Sequence, residues 1–451
     1  MVFKRKIYKD LLRWKAEANG EKALLIEGAR RVGKSTIVEE FAKNEYQNYL
    51  LIDFTIASNF VKEAFYNQLN DLDTFYMMLN AEYHTELFPR KSLIIFDEIQ
   101  RFPKAREAIK YLVKDGRYDF IETGSLISIK ENVKDINIPS EERKIKMFPM
   151  DFEEFCEALN EKLLFTYIKN CFDKLIPVEE NLHKKAMRLF KEYMLVGGMP
   201  KVVCKYLENG KSFKSADIEK RDILSLYRDD ILKIKEAYKT KVLSIFDQIP
   251  SFLSKHEKRV RLNNVKGNNI LSYESTFFWL SESMIANECF NSVDPNVGLS
   301  LNEERTFIKC YLADTGLLIS HTFDENQLLA EDLYLSVLKD KLSVNKGMFF
   351  ENVIAQILVS NGHKLYFYTH YNEEKHRNDI EIDFIISNKS KINNRISPIE
   401  VKSSKNYTTN SLIDFKKKFN ARIDKCYIIH PKNLSIKEGI ICLPAYMATF
   451  L

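Results

Sequence analysis

Short apolar runs at residues 23–27, 49–54, 92–97 and 119–123 alternate with stretches of helical periodicity at 35–44, 57–80 and 103–114. Strands that recur between amphipathic helices predict βα units, and repeated βα units predict a parallel, doubly wound sheet. Tyr8 to Lys15 adds an amphipathic helix ahead of the first strand. Ligands of such sheets bind beyond the carboxyl ends of the strands. The residues that follow these apolar runs are therefore where chemistry is expected.

The pattern changes after residue 140. A charged stretch leads into Asp151, placed to cap a helix with Glu154 in its first turn. Residues 160–240 are rich in helix formers and are broken once, at Leu195-Val196-Gly197-Gly198-Met199-Pro200, where the glycines permit a turn and Pro200 cannot continue a helix. Val242 to Phe290 reads as a helix, a basic connector and a second helix from Tyr273 to Met284 with Ser272 as its N-cap, a winged-helix pattern. The connector holds Lys255, Lys258, Arg259, Arg261 and Lys266 against Glu257. Lys258, Arg259 and Arg261, with Tyr273, Ser275 and Thr276, are candidate DNA contacts; a solvated basic loop is the competing reading.

In the last third, a helical pattern over 349–358 carries Glu351, a strand over 380–386 is interrupted by Asp383, and a strand begun at Ser397 ends in Glu400-Val401-Lys402. Three domains are expected, at 1–160, 161–335 and 336–451.

Composition narrows the class. The 451 residues are 45% hydrophobic and 29% charged, an ordinary globular balance, and the net charge of +5 permits a local basic surface without demanding one. Seven cysteines, with no CxxC pair, suggest buried reduced thiols rather than a zinc site or a disulfide framework. No run approaches the roughly 18 apolar residues needed to span a bilayer, and the N-terminus lacks an apolar signal core, so the cytoplasm is the expected compartment. Glycine is scarce, at 14 residues, so a glycine inside a motif carries information.

The first strand runs into Gly28-Ala29-Arg30-Arg31-Val32-Gly33-Lys34-Ser35-Thr36, a GxxxxGKS phosphate loop. Backbone amides that approach phosphate oxygens need glycine at the tight points, Lys34 supplies positive charge, Ser35 is a hydroxyl ligand for Mg²⁺, and the following helix adds its N-terminal dipole. Ser92-Leu93-Ile94-Ile95-Phe96 ends in Asp97-Glu98, a Walker B pattern in which Asp97 serves the Mg²⁺ shell and Glu98 the attacking water. ATP and Mg²⁺ are the expected ligands. Thr123 and Ser125, after the fourth strand, are either sensors of the γ-phosphate or helix caps. Arg143 is either a mobile arginine for transition-state charge or a solvated loop residue.

The C-terminal acids suggest a metal-dependent nuclease core. Glu400 and Lys402 share a strand face, Asp383 and Glu400 are candidate metal ligands, and Glu351 contributes from the helix. The arrangement resembles the PD-(D/E)xK superfamily, with Ile382 where that motif has proline.

The text GARRVGKST, LIIFDEIQ, ETGS, FPMDFEEF, VGGMP, YLADTGLL and the EIDFII/IEVKSS pair together resemble the prokaryotic AAA-type ATPases that carry a DUF4143-type, restriction-endonuclease-like C-terminal domain. The chain has Glu142-Arg143 where that family has Gly-Arg. The resemblance implies an AAA-like P-loop sheet, a helical and winged-helix middle, and an α/β nuclease-like end. It implies an ATPase whose nucleotide state controls a DNA-acting half and whose Val196–Pro200 turn links the two. The alternatives are a nucleotide-dependent switch with a non-catalytic protein-interaction module, and a homo-oligomeric remodelling ring.

Overall fold

The computed structural model describes residues 2–124, 139–234, 236–255, 260–261, 270–324, 331–338, 346–374, 376–387 and 395–451. They pack as two compact units, residues 1–148 and 149–451, with residues 282–284 grouped with the first.

Among the described residues, the first unit is built on five strands: β1 (Ala23–Gly28), β2 (Asn48–Asp53), β3 (Ser92–Asp97), β4 (Asp119–Gly124) and β5 (Glu142–Met147). They pair in the order β2-β3-β4-β1-β5, all parallel. Helices cover both faces, which is why β1, β3 and β4 are buried end to end and read as continuous apolar runs. Leu24, Ile26, Leu93, Ile95 and Ile121 face α1 (Ile7–Ala18) and α2 (Lys34–Glu45). Leu25, Leu50, Ile52, Ile94, Phe96 and Phe120 pack with Val61, Phe65, Phe75, Ile109 and Leu112 on the other side.

Two local departures from the sequence reading have plain causes. The helical stretch over 57–80 divides into Asn59–Asn67 and Leu72–Tyr83, because Asp71 accepts hydrogen bonds from the Thr74 amide and hydroxyl and starts a new helix. The charged text Glu142-Arg-Lys-Ile-Lys-Met147 is a strand, β5, on the edge of the sheet, where Arg143, Lys144 and Lys146 remain in water.

The second unit begins with helices. Asp151 and Glu154 form the capping box of Phe152–Ala158, each side chain accepting from the other's amide at 2.9 and 3.1 Å. Helices Lys162–Asp173, Glu180–Val196, Pro200–Glu208, Phe213–Leu232 and Glu236–Ser254 follow. The remaining strands, β6 (Val260–Arg261), β7 (Ala286–Ser292), β8 (Glu303–Leu312), β9 (Leu365–Asn372), β10 (Arg377–Ser387), β11 (Ile396–Val401), β12 (Cys426–His430), β13 (Ser435–Lys437) and β14 (Ile440–Pro444), form one mixed sheet among the described residues. Its order is β13-β14-β12-β11-β10-β9-β7-β8-β6.

Three motifs of the sequence meet inside this unit. The Gly198 amide donates to Asp314 Oδ2 at 2.6 Å, its carbonyl accepts from the Met150 amide at 2.7 Å, and Tyr193 Oη donates to the Met150 carbonyl at 3.0 Å. A Cβ on Gly198 would lie 2.1 Å from the Met150 carbonyl, and one on Gly316 2.4 Å from the Val196 carbonyl. The glycines of VGGMP and YLADTGLL are thus close-approach points where backbone packs on backbone.

Candidate functional site

The carboxyl ends of β1, β3 and β4 bring the nucleotide motifs together. Because β4 separates β1 from β3, the loop after Gly28 and the acids after Phe96 flank Thr123, at the end of the strand between them. Ser35 Oγ donates to Asp97 Oδ1 at 2.9 Å, and Thr123 Oγ1 donates to the same oxygen. Thr123 therefore holds the Walker B carboxylate directly; Ser125 lies outside the described residues.

The loop itself is shaped by backbone geometry. Gly28 is pressed against β5, where a Cβ would sit 2.6 Å from the Met147 carbonyl. Arg31 and Gly33 have φ of 70° and 98°, and Gly33 is the N-cap of α2, so the helix opens onto the loop. Ala29 and Val32 are buried, Arg30 is half-buried, and Arg31 and Thr36 are exposed.

Lys34 is buried, and its ammonium donates to the carbonyls of Gly28 and Ala29 at 2.9 and 3.0 Å. Burial lowers its pKa to about 8, against the opposing pull of Glu98 and Asp97. Glu98 adopts φ 53°, a left-handed conformation rare for glutamate, and accepts a hydrogen bond from the Gln100 side chain. Backbone strain of this kind persists only where the surrounding structure holds the residue in place.

Two residues of this site went unassigned in the sequence. Gln100 orients Glu98 and was in view as the last letter of LIIFDEIQ. Arg5 is buried, and its guanidinium donates to the carbonyls of Val32 and Phe148 at 3.0 and 2.7 Å, clamping the phosphate loop from 27 residues away. No local pattern marks it.

Arg143 does not join the site within one chain. It pairs in register with Leu24 at the amino end of β1, four residues before Gly28 and so roughly 13 Å down the sheet. There it is exposed and bonded to Glu17 at 2.7 Å. That placement corrects its reading as a charge stabiliser in its own phosphate site.

The C-terminal acids also assemble, around an unforeseen partner. The helix Lys346–Ser360 presents Glu351, β8 presents Lys309 and Tyr311, and β10 presents Asp383 from a register shift between Ile382 and Ile385. Lys309 Nζ lies 3.2 Å from Glu351 Oε1 and 3.8 Å from Asp383 Oδ1. Tyr311 Oη donates to that same Glu351 oxygen, and Asp383 Oδ2 accepts from the Val401 amide at 2.8 Å. Glu400 and Lys402 share a strand face as the spacing required, and pair at 2.9 Å. Burial, with Asp383 nearby, raises the Glu400 pKa to about 7, although Lys402 opposes the shift.

Among the described residues no group of three or more His, Cys, Asp or Glu is arranged to hold a metal ion. The expectation that Glu351, Asp383 and Glu400 together ligate one is not met by this arrangement: Glu351 and Asp383 are bonded to Lys309, Tyr311 and the Val401 amide, while Glu400 lies 2.9 Å from Lys402 and neither of its buried oxygens completes a hydrogen bond among the described residues.

Of the candidate DNA contacts, Lys258 and Arg259, and the side chains of Arg261, Tyr273 and Ser275, lie outside the described residues. Thr276 is buried in the fold and does not face a groove. Among the described residues, no helix is long and apolar enough to cross a membrane.

Residues 20–156 match a family model described as an AAA domain. Residues 187–327 and 346–447 match two models described as domains of unknown function, DUF8612 and DUF4143. No curated protein matches the chain. Among solved structures it is similar to a Walker-type ATPase of Pyrococcus abyssi, with 16% identity and a TM-score of 0.40 over 71% of this chain and 96% of that one. It is also similar to a signal transduction ATPase with a tetratricopeptide repeat sensor from Pyrococcus horikoshii, with 12% identity and a TM-score of 0.29 over 79% of this chain and 48% of that one. The chain thus carries an AAA-type P-loop ATPase domain in its N-terminal part and a DUF4143 domain at its C-terminal end.

Proposed function

We propose that the first unit binds and hydrolyses ATP at the carboxyl ends of β1, β3 and β4, and that its nucleotide state controls the second unit as a switch. The observation that carries this is the cluster of Ser35, Asp97 and Thr123 around one carboxylate oxygen at the mouth of the phosphate loop. The Ser35 hydroxyl and the Asp97 carboxylate are hard oxygen donors that fit Mg²⁺, which when bound would neutralise charge on the β and γ phosphates. Lys34 then exchanges its two loop carbonyls for phosphate oxygens. The Glu98 carboxylate, aimed by Gln100, orients the attacking water and accepts its proton.

Two features support a binding role for the second unit. Antiparallel pairing of β6 with β8 and of β8 with β7, with the helix Ile270–Glu282 between β6 and β7 in chain order, is compatible with a winged helix carrying the basic connector. The bonds of Lys309 and Tyr311 to Glu351, and of the Val401 amide to Asp383, favour a non-catalytic module over a nuclease. DNA is the partner we assign to the connector. A salt-sensitive mobility shift lost on charge reversal at Lys258, Arg259 and Arg261 is expected; unchanged binding would turn the assignment to a protein partner. Mass in solution with and without ATP tests assembly into a ring.

For the nucleotide site, Lys34→Ala is expected to abolish ATP binding, while Glu98→Gln keeps binding and lowers turnover by about 100-fold or more. Normal turnover in both variants refutes the assignment.

A further inference from the structure

We infer that Lys309 is a resident cation of the C-terminal acid cluster: its ammonium stands where a nuclease-like site takes a divalent ion, and the domain cleaves no phosphodiester. This does not depend on the ATPase reading, since every residue involved lies in the second unit.

A divalent ion bound by carboxylates needs several oxygens that can close to about 2.0–2.6 Å around one point. Here Glu351 Oε1 already accepts from both Lys309 and Tyr311. Asp383 spends Oδ2 on the Val401 amide and turns Oδ1 toward Lys309. Glu400 is paired with Lys402. The Lys309 ammonium already offsets the negative charge that a divalent ion would need at Glu351 and Asp383.

Lys309 is held from several sides. It is 8% exposed, its ammonium lies 5.2 Å from the centre of the Phe367 ring, and its backbone pairs with Cys289 of β7 inside the sheet. Tyr311, two residues further along β8 and hence on the same face, reaches the same glutamate. Letting a metal in would mean turning a buried ammonium out of two ion pairs and leaving the Tyr311 hydroxyl in the way. A surface lysine that met an acid by accident would have neither constraint.

The test uses the full-length chain without nucleotide and Mn²⁺ as the probe, counted by electron paramagnetic resonance. Wild type and Asp383→Asn are expected to give the same titration, and supercoiled plasmid with Mn²⁺ is expected to stay intact. Lys309→Gln is expected to gain about one ion per chain, lost again in the double variant with Asp383→Asn. A wild-type ion that Asp383→Asn removes, or plasmid nicking that Asp383→Asn and Lys402→Ala abolish, overturns the inference. So does a folded Lys309→Gln that binds no additional ion. Should Lys309→Gln fail to fold, the comparison of wild type with Asp383→Asn still decides.

Discussion

Both units bury a lysine beside carboxylates, and the two lysines are used in opposite ways. Lys34 gives its hydrogen bonds to two backbone carbonyls of its own loop, while the neighbouring acid is held by the hydroxyls of Ser35 and Thr123. Lys309 is bonded directly to Glu351 and lies near Asp383. Phosphate oxygens can replace carbonyls without separating any pair of opposite charges, so the first arrangement is open to an anionic ligand and its metal. In the second, cation and anions satisfy each other. Whether a buried lysine marks a binding site thus depends less on its neighbours' charge than on which atoms accept its protons.

The sharpest way to break this comparison is to make one change in both places. Lys34→Met is expected to remove ATP binding yet shift unfolding stability by no more than about 1 kcal/mol, because Asp97 keeps the Ser35 and Thr123 hydroxyls and Glu98 keeps the Gln100 amide. Lys309→Met is expected to cost about 3–5 kcal/mol, because it removes the cation paired with the buried Glu351 carboxylate. Denaturant titration of both variants checks this, and equal losses would remove the distinction.

Next in size is the backbone packing of Gly198 on Met150 in the second unit. Gly198→Ala sets a methyl group against the carbonyl and amide of Met150, at 2.1 and 2.8 Å, and neither can yield without breaking the Gly198–Met150 hydrogen bond. A loss of about 2–4 kcal/mol is expected in the second unit. Gly210→Ala, with φ 65° but nothing within 4 Å, is the control and should cost only about 1 kcal/mol of backbone strain. Similar losses in the two would mean that the Met150 backbone yields and that close approach does not keep glycine at 198.

The two sites differ in how legible they were. The phosphate loop and Asp97-Glu98 could be read because each is a contiguous motif at a strand end, and strand ends converge in a parallel sheet. Arg5 could not, since it acts on carbonyls of Val32 and Phe148 that carry no side-chain signature. Glu400 and Lys402 followed from strand periodicity, whereas Lys309 was invisible. It lies 42 residues before Glu351 on a strand with unremarkable spacing, and only sheet order brings it to the acids. The strand β5 escaped because an edge strand need not look apolar, and Arg143 was misplaced for the same reason.

A smaller effect is expected from a third carboxylate group, which falls between the two extremes. In the first unit Arg106 holds Glu142 with two hydrogen bonds of 2.8 Å, while Glu122 on β4 is fully buried nearby. Burial first, and then the Glu142 carboxylate, push the Glu122 pKa well above the usual range, with Arg106 opposing. An acid whose folded pKa is raised destabilises the fold as pH climbs from the unfolded pKa toward the folded one, because unfolding then releases a proton. Glu122→Gln is expected to remove that slope, up to about 1.4 kcal/mol per pH unit, so the variant gains on wild type as pH rises above the unfolded carboxyl range. Parallel stability curves would mean that Glu122 shares its proton differently.

The smallest expected signal bears most directly on why Lys34 is open. Its pKa of about 8 leaves it part neutral at mildly alkaline pH, and an arriving triphosphate favours the ammonium, so binding must draw in a proton. Near pH 8 the uptake should be about half a proton per ATP, falling to about a tenth at pH 7. Calorimetry of MgATP binding in two buffers of different ionisation enthalpy reads this directly, and affinity should weaken as pH rises past 8. Lys34→Arg, which stays charged throughout, should abolish the buffer dependence even if it binds less tightly. Identical heats in the two buffers at pH 8 would show that the free loop already holds Lys34 fully protonated. In that case its carbonyl contacts would be as binding as the ion pairs of Lys309, and the contrast would have to rest on Ser35 and Thr123 alone.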